Sequence, residues 1–138
     1  MDKFYESPVE NPLKLLDVLQ YEFNNDWVYR GKLSRFPLQT SIERALPNAG
    51  IDLKEAVRIE REMTRLFQRL YWGDDREVVR SDTLYCLSLM QHHGAPTRLL
   101  DWTYSPFVAA YFAMESAHDH RLEYGEHESC SVWCLNQR

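Results

Sequence analysis

An arginine followed by a glycine marks the first candidate site in the sequence. The run Trp27-Val28-Tyr29 combines aromatic and β-branched residues, which predicts a short strand that ends at Gly31. Arg30 then lies at the end of that strand, beside a glycine that lets another backbone or a ligand come close. A guanidinium offers a planar fork of donors that suits phosphate or carboxylate. The alternative, favoured when the motif is taken alone, is a structural arginine paired with a carboxylate such as Asp101.

A second candidate site is the dense polar segment Gln91–Thr103. It offers an amide, two imidazoles, two hydroxyls, a guanidinium, a carboxylate and an indole, with a glycine and a proline to fix its backbone. Packing alone does not require so many polar types, so the segment predicts a site. His92 and His93 are candidate pocket-wall donors or general acid/base groups. The alternative is that these groups satisfy one another in the interior, as an Arg98–Asp101 pair or a core histidine at position 92 would.

The clearest element that could position these residues is a helix after Asp52. Asp52 can cap its N-terminus, apolar residues then recur at spacings of three and four, and the helix ends near Trp72-Gly73. The predicted core stripe consists of Ala56, Ile59, Met63, Leu66, Phe67 and Leu70.

Capping residues predict three further helices and one short one. Asn11-Pro12, Ser81-Asp82 and Ser105-Pro106 place capping side chains at helix starts, and a short helix is expected from Thr40 or Ser41. The predicted core residues of the three helices are Leu13, Leu16, Leu19 and Phe23 in the first, Leu84, Leu87 and Met90 in the second, and Val108, Ala109, Tyr111 and Phe112 in the third.

The remaining segments complete an α+β fold, with a small sheet of short strands flanked by several amphipathic helices. Strands are predicted at Arg98–Trp102 and Val132–Leu135, and an exposed loop at His118–Ser129. We expect one domain over residues 1–138, with a helical part at 1–25, a motif-bearing core at 27–115, and a loop and final strand at 116–138. A strand so near residue 138 needs a neighbour, which favours a fragment of a longer protein.

The composition limits which binding partners and which cellular compartment are expected. The formal charge is −5 and no basic stripe is visible, so strong binding of duplex nucleic acid is not expected, although a local cluster can still bind phosphate. No apolar run approaches the ~20 residues that span a bilayer, so no membrane association is expected. Three cysteines are a sparse and odd set, which favours a reducing compartment and a cytoplasmic protein.

A metal site is a weaker interpretation of the C-terminal part. Three histidines and two cysteines, all of them zinc-ligand types, lie close together in the sequence. They are His118, His120, His127, Cys130 and Cys134. Because Cys134 has apolar neighbours, a solvated loop followed by a core cysteine is favoured, and no metal is expected.

The sequence resembles the FRG domain family, which is named for an aromatic-Arg-Gly motif. Tyr29-Arg30-Gly31 matches that motif, and QHHGAPTRLLDWTYSPFVAAYFA, which is Gln91–Ala113, matches the second signature. The resemblance covers about residues 27–115 and implies identity more readily than function. Further positions that resemble the family are Leu38, Ser41, Arg44, Glu60 and Phe67.

The order of motifs is also similar to that of arginine–serine–glutamate ADP-ribosyltransferases, which implies NAD as the cofactor. Arg30 would match the arginine that grips the dinucleotide, Thr103-Tyr104-Ser105 the hydroxyl motif, and Val108–Ala113 the helix beneath it. This resemblance implies that Thr103 and Ser105 orient the nicotinamide ribose. The full set of predicted cofactor-binding residues is Tyr29, Arg30, Gly31, Thr97, Arg98, Thr103 and Ser105.

Transfer chemistry would also need a carboxylate to stabilise the oxocarbenium-like charge or position the acceptor. Glu126 and Glu128 are the first candidates within the sequence, with His92 and His93 as the other predicted catalytic residues. Asp101 is a third option for the carboxylate, although pairing with Arg98 or Arg30 is the simpler interpretation of it. Otherwise the glutamate lies beyond residue 138. Two alternatives stay open: a non-catalytic module that recognises a dinucleotide or another phosphate-bearing ligand, and a structural domain whose active site lies elsewhere.

Overall fold

A computed structural model describes residues 8–9, 11–21, 26–33, 37–124 and 129–138. These residues form an α+β fold of six α-helices, two strands and one short 3-10 turn, Leu53–Glu55. The contacts divide the chain into two compact units: unit 1 is Met1–Pro37 with Asp101–Arg138, and unit 2 is Leu38–Leu100. The elements in chain order are α1 Pro12–Tyr21, β1 Trp27–Leu33, α2 Ser41–Asn48, α3 Ala56–Leu70, α4 Arg76–Ser81, α5 Thr83–His92, α6 Pro106–Tyr124 and β2 Cys130–Asn136.

Unit 1 is built on an antiparallel pair of strands packed against α6. The register runs from Trp27 opposite Asn136 to Leu33 opposite Cys130. The first strand therefore continues two residues beyond Gly31, so Arg30 lies within it and not at its end. The predicted end of this strand was wrong because β2 supplies a cross-strand partner for every residue as far as Leu33.

Gly31 is the point at which β1 comes closest to α6. A Cβ built on this glycine would lie 1.8 Å from the carbonyl oxygen of Ala109 and 2.7 Å from the amide nitrogen of Ala113. The close approach predicted for this glycine is therefore made by the backbone of a helix. Small residues on α6 permit it, since Ala109, Ala110 and Ala113 are buried.

The predicted core face of α6 was wrong in three of its four residues. Ala109 is buried, whereas Val108, Tyr111 and Phe112 are exposed. Sequence reasoning places large apolar side chains in the core, but a helix backbone lying on a glycine in β1 leaves room only for alanine.

Two other predicted segments take a different form. The helix α6 runs to Tyr124, so the loop predicted from His118 is helical that far, and residues 125–128 lie outside the described part. Arg98–Trp102 forms no strand. Its neighbour Thr103 makes an isolated bridge to Tyr29 instead.

Unit 2 packs α3 against α2 and α5, and α4 against α3 and α5. The sequence analysis missed α4, a helix of six residues. In α5, Leu84 was wrongly predicted to be a core residue. It is exposed, and Cys86, two residues later, is buried. Along α3 the predicted stripe is buried only in part: Leu66 is 47% exposed and Leu70 is 61% exposed.

The predicted helix starts that the structure describes, apart from the one at Asp52, are confirmed by backbone contacts. The Asn11 side chain accepts the Lys14 N–H, and the Thr40 backbone N–H and hydroxyl both donate to Glu43. The Asp52 carboxylate accepts the Lys54 N–H in the 3-10 turn that precedes α3, so Asp52 caps this turn and not α3 itself as predicted. None of the described helices is long and apolar enough to cross a membrane.

We expect Asp82→Ala to lower the stability of unit 2 by about 1 kcal/mol, the usual contribution of a helix cap. The Asp82 carboxylate accepts the N–H groups of Leu84 and Tyr85, at 2.9 and 3.0 Å, in the first turn of α5. Urea denaturation followed by circular dichroism measures the loss. Asp82→Asn is the matched control, because an amide oxygen still accepts these bonds; equal losses for the two variants would contradict the capping role.

Candidate functional site

The sheet in unit 1 has one face packed on helices and one face that carries polar groups. Tyr29 and Gly31 lie on the helix side, where Tyr29 packs with Leu19, Ala109 and Ala110. Because side chains alternate along a strand, Arg30 lies on the opposite face. That face also carries Val28 and Lys32 from β1 and, by register, Ser131, Trp133 and Leu135 from β2.

Arg30 is half-buried and held by the chain that follows unit 2. Its Nη1 donates to the backbone carbonyl of Asp101 at 2.6 Å. The Lys32 Nζ, two residues along the same face, donates to the backbone carbonyl of Pro37. Two cationic side chains are therefore anchored on one face of β1, and across the strand pair from Arg30 lies the indole of Trp133.

Thr103 and Ser105, the predicted ribose-binding pair, lie next to β1 but take part in starting α6. The N–H of Tyr29 donates to the Thr103 carbonyl at 2.8 Å, and the return bond is 2.9 Å. The Thr103 hydroxyl oxygen accepts the Ser105 N–H, and the Ser105 hydroxyl oxygen accepts the Val108 N–H. Each hydroxyl keeps its own O–H as a donor.

The bridge also fixes the direction of the Thr103 side chain. Residues directly opposite in a strand pair share a face, so Thr103 lies on the face of Tyr29, whereas Arg30 lies on the other. The structure thus brings the backbones of Arg30 and Thr103 together and directs their side chains to different faces. The contact of Thr103 and Ser105 with a ribose stays a prediction.

Thr97, another predicted cofactor-binding residue, is fully buried in unit 2. Its N–H donates to the Ser41 hydroxyl, which in turn donates to the Thr97 carbonyl. Its own hydroxyl donates to the side-chain oxygen of Gln91 at 2.5 Å. These bonds tie the start of α2 to the segment after α5. They give a structural role to Ser41 and Gln91, which both belong to the family-like pattern.

Arg98 pairs with Glu60 on α3. Glu60 is only 4% exposed, and its carboxylate accepts the Arg98 backbone N–H at 2.7 Å and Nε at 2.8 Å. Nη2 lies 2.7 Å from the same carboxylate. The alternative in which Arg98 pairs with Asp101 is thereby replaced by a pair within unit 2, and ligand binding by Arg98 stays a prediction.

These bonds also explain why no strand forms here. The N–H groups of Thr97, Arg98 and Leu99 donate to side chains, namely the Ser41 hydroxyl, the Glu60 carboxylate and the Thr97 hydroxyl. A segment whose backbone donors are bound to side chains cannot use them in a sheet.

The predicted catalytic residues divide between a described and an undescribed part of the chain. His92 and His93 are exposed at the end of α5 in unit 2, with ring centroids 5.5 Å apart, and the His93 ring lies 6.3 Å from that of Phe67. Glu126 and Glu128 lie outside the described residues. The catalytic role of all four stays a prediction.

Cys134 packs on the helix side of the sheet. Burial raises the pKa of its thiol to about 11, so at neutral pH the group is a protonated, weakly polar side chain and not a thiolate ligand. Among the described residues, which leave out the side chains of His120 and His127, no group of three His, Cys, Asp or Glu side chains could hold a metal ion.

Sequence reasoning missed Lys32, Ser131 and Trp133 as members of the polar face. The signal was present as two-residue alternation, because Tyr29 and Gly31 alternate with Arg30 and Lys32. It could not be used without the pairing of β1 with β2, which are separated by about a hundred residues of chain.

Comparison with known proteins identifies the family of this chain. The sequence model of the FRG domain matches residues 25–122, well over half of the chain, so the protein belongs to the FRG domain family. Neither a curated protein nor a solved structure matches it. The resemblance to ADP-ribosyltransferases stays a prediction.

Proposed function

We propose that this FRG domain recognises a phosphate-bearing dinucleotide, NAD in the first instance, on the polar face of the sheet in unit 1. The observation that carries the proposal is the placement of Arg30, Lys32 and Trp133 on one face of two paired strands. That face brings together the two kinds of group that a nucleotide requires, cationic donors and an aromatic ring.

Arg30 supplies the phosphate contact. A guanidinium carries five N–H donors in a fixed plane, and its bond to the Asp101 carbonyl sets the orientation of that plane. Lys32 adds a second positive charge two residues along the strand.

Trp133 is half-buried, with its Nε1 shielded from solvent, and the part of its ring that stays accessible supplies the surface for a base or nicotinamide ring. Bases stack on aromatic side chains at roughly 1–3 kcal/mol each. Trp133 is the register partner of Arg30, so their Cβ atoms lie about 5 Å apart, within the span from a ring to its neighbouring phosphate. The Ser131 hydroxyl, opposite Lys32, is available to a ribose.

ADP-ribosyl transfer is the reaction that this ligand makes possible. The bond between the nicotinamide nitrogen and the ribose carbon breaks, nicotinamide leaves with the electron pair, and an acceptor oxygen or nitrogen forms the new bond to that carbon as it loses a proton. A carboxylate would accept the proton or stabilise the developing charge, and Glu126 and Glu128 are the candidates. A recognition module binds the same ligand without this step.

We expect calorimetry to detect binding of NAD to the wild-type protein, and Arg30→Ala to weaken it by about 1.5–3 kcal/mol, the value of a charge-assisted hydrogen bond. Arg121→Ala, which removes an exposed arginine of α6 in the same unit, should leave the affinity unchanged. Nicotinamide riboside, which lacks phosphate, should bind far more weakly than NAD.

Two readouts separate the possible failures. A folded Arg30→Ala protein that binds NAD as tightly as wild type would overturn the phosphate role, and melting curves show whether it is folded. Release of nicotinamide on incubation with NAD identifies a transferase or hydrolase, while binding without release identifies a recognition module.

A further inference from the structure

The stripe of apolar residues on α3 that the core leaves uncovered forms one wall of a groove in unit 2. The groove is open, has a volume of about 520 Å³, and is lined almost entirely by apolar atoms. Its two most exposed apolar side chains are Leu66 and Leu70. The lining residues are Met63, Leu66, Phe67, Leu70, Tyr71, Met90, His93 and Ala95.

A row of arginines runs along α3 beside this groove. Arg61, Arg65 and Arg69 recur every four residues, so they form one line about 12 Å long on the helix surface. All three are exposed, and within the described part of the chain they have neither an ion pair nor a hydrogen bond. Arg58, on the same helix, differs in that it pairs with Glu55 and Glu62.

The helical spacing places the arginine row next to the edge of the groove. At about 100° per residue, Arg69 lies some 60° around the helix from Leu66, and Arg65 lies about 100° from it. The groove and the row therefore form one amphipathic surface, apolar on one side and mainly basic on the other, where the one carboxylate between them, Glu62, is paired with Arg58. In a chain of formal charge −5, three adjacent unpaired positive charges are a local exception.

We propose that this surface binds an amphipathic helix of a partner protein, with apolar anchors in the groove and acidic residues along one flank. Helices that lie in grooves present anchors at spacings of three, four and seven residues. Acidic side chains every four residues on the partner would match the row formed by Arg61, Arg65 and Arg69. Acidic side chains of the partner should be excluded from the end of the groove at Tyr71, because the Asp75 carboxylate, which accepts the Tyr71 hydroxyl, lies there and repels them.

The shape of the surface favours a protein helix over the two other anionic partners. A bilayer surface meets protruding apolar side chains, whereas these side chains line a concave groove. Nucleic acid would use the arginines but leave the apolar groove exposed to water, and it would meet an acidic protein. A helix with one apolar face and one acidic face would fill the groove and neutralise the arginine row at the same time.

The test uses a designed helical peptide about four turns long, with Leu and Phe on one face and Glu every fourth residue beside it. Fluorescence anisotropy should show saturable binding that weakens as NaCl is raised. Reversal of the row in Arg61→Glu/Arg65→Glu/Arg69→Glu should weaken binding about tenfold or more, since it removes three exposed ion pairs and puts like charges in their place. Leu70→Asp, at an exposed position, should also weaken binding.

Arg121→Glu is the matched control, because it reverses an exposed arginine of α6 in unit 1, outside the groove and the row, and the peptide should bind it nearly as well as wild type. Equal binding of a peptide with Lys in place of each Glu would overturn the proposal. So would binding of phosphatidylserine vesicles without binding of the peptide, or self-association that the row reversal abolishes. NAD binding tests unit 1 and should not change in the row-reversal variant, so the two proposals fail separately.

Discussion

Gly31→Ala is expected to lower the free energy of unfolding by about 3 kcal/mol or more, because overpacking against an immovable neighbour exceeds the usual cost of an added methyl group. The added carbon would meet the carbonyl oxygen of Ala109 at 1.8 Å, and this atom belongs to the helix backbone. To relieve the clash, β1 and α6 must move apart along the interface that holds unit 1 together. The glycine of the family motif is on this account a packing residue.

The cost is steric and not conformational, which a second glycine can demonstrate. Gly50 has a φ of 72° and no atom within 4 Å of an added Cβ, so Gly50→Ala should lose only about 1 kcal/mol from backbone strain. Urea denaturation of both variants compares the two. If Gly31→Ala were no less stable than Gly50→Ala, the close contact of β1 with α6 would be contradicted.

Glu60→Ala is expected to lower stability by about 3 kcal/mol, since it removes a buried carboxylate and leaves the Arg98 backbone N–H without its acceptor. The carboxylate binds one backbone and two side-chain nitrogens of Arg98. Arg98 itself is half-exposed, so most of the loss should come from the backbone bond and from the position of the segment after α5.

A graded series distinguishes this role from that of an ordinary surface ion pair. Glu60→Gln keeps an oxygen for the Arg98 N–H and should lose less than Glu60→Ala. Glu62→Ala, which breaks the exposed pair with Arg58, should change stability by about 0–1 kcal/mol. A loss for Glu60→Ala as small as that for Glu62→Ala in thermal unfolding would contradict the buried network.

The parts of the fold that could be predicted are those set by local chemistry. Asn11 and Asp82 each cap a helix as expected, and Asp52 caps the 3-10 turn that leads into α3, because a cap depends on residues two or three positions away. The α+β class followed from the same short-range patterns, and the family followed from the two sequence signatures.

The parts that could not be predicted depend on contacts between distant segments. The strand expected at Arg98–Trp102 has suitable residues, but Glu60 and Ser41, from other elements, take its backbone donors. The prediction of the buried face of α6 was wrong for a similar reason, since the close contact of Gly31 with the helix backbone leaves room there only for alanine. The polar face of the sheet required the pairing of β1 with β2.

The most direct test of the nucleotide proposal is the NMR signal of the Arg30 side-chain Nε–H, assigned by its loss in Arg30→Lys. Titration with NAD or ADP-ribose should shift this signal in a saturable way, while nicotinamide riboside and the signal of Arg58 provide the ligand control and the internal control. A signal of Arg30 that stays in place while NAD binds, or that shifts equally with nicotinamide riboside, would contradict phosphate recognition on this face of the sheet.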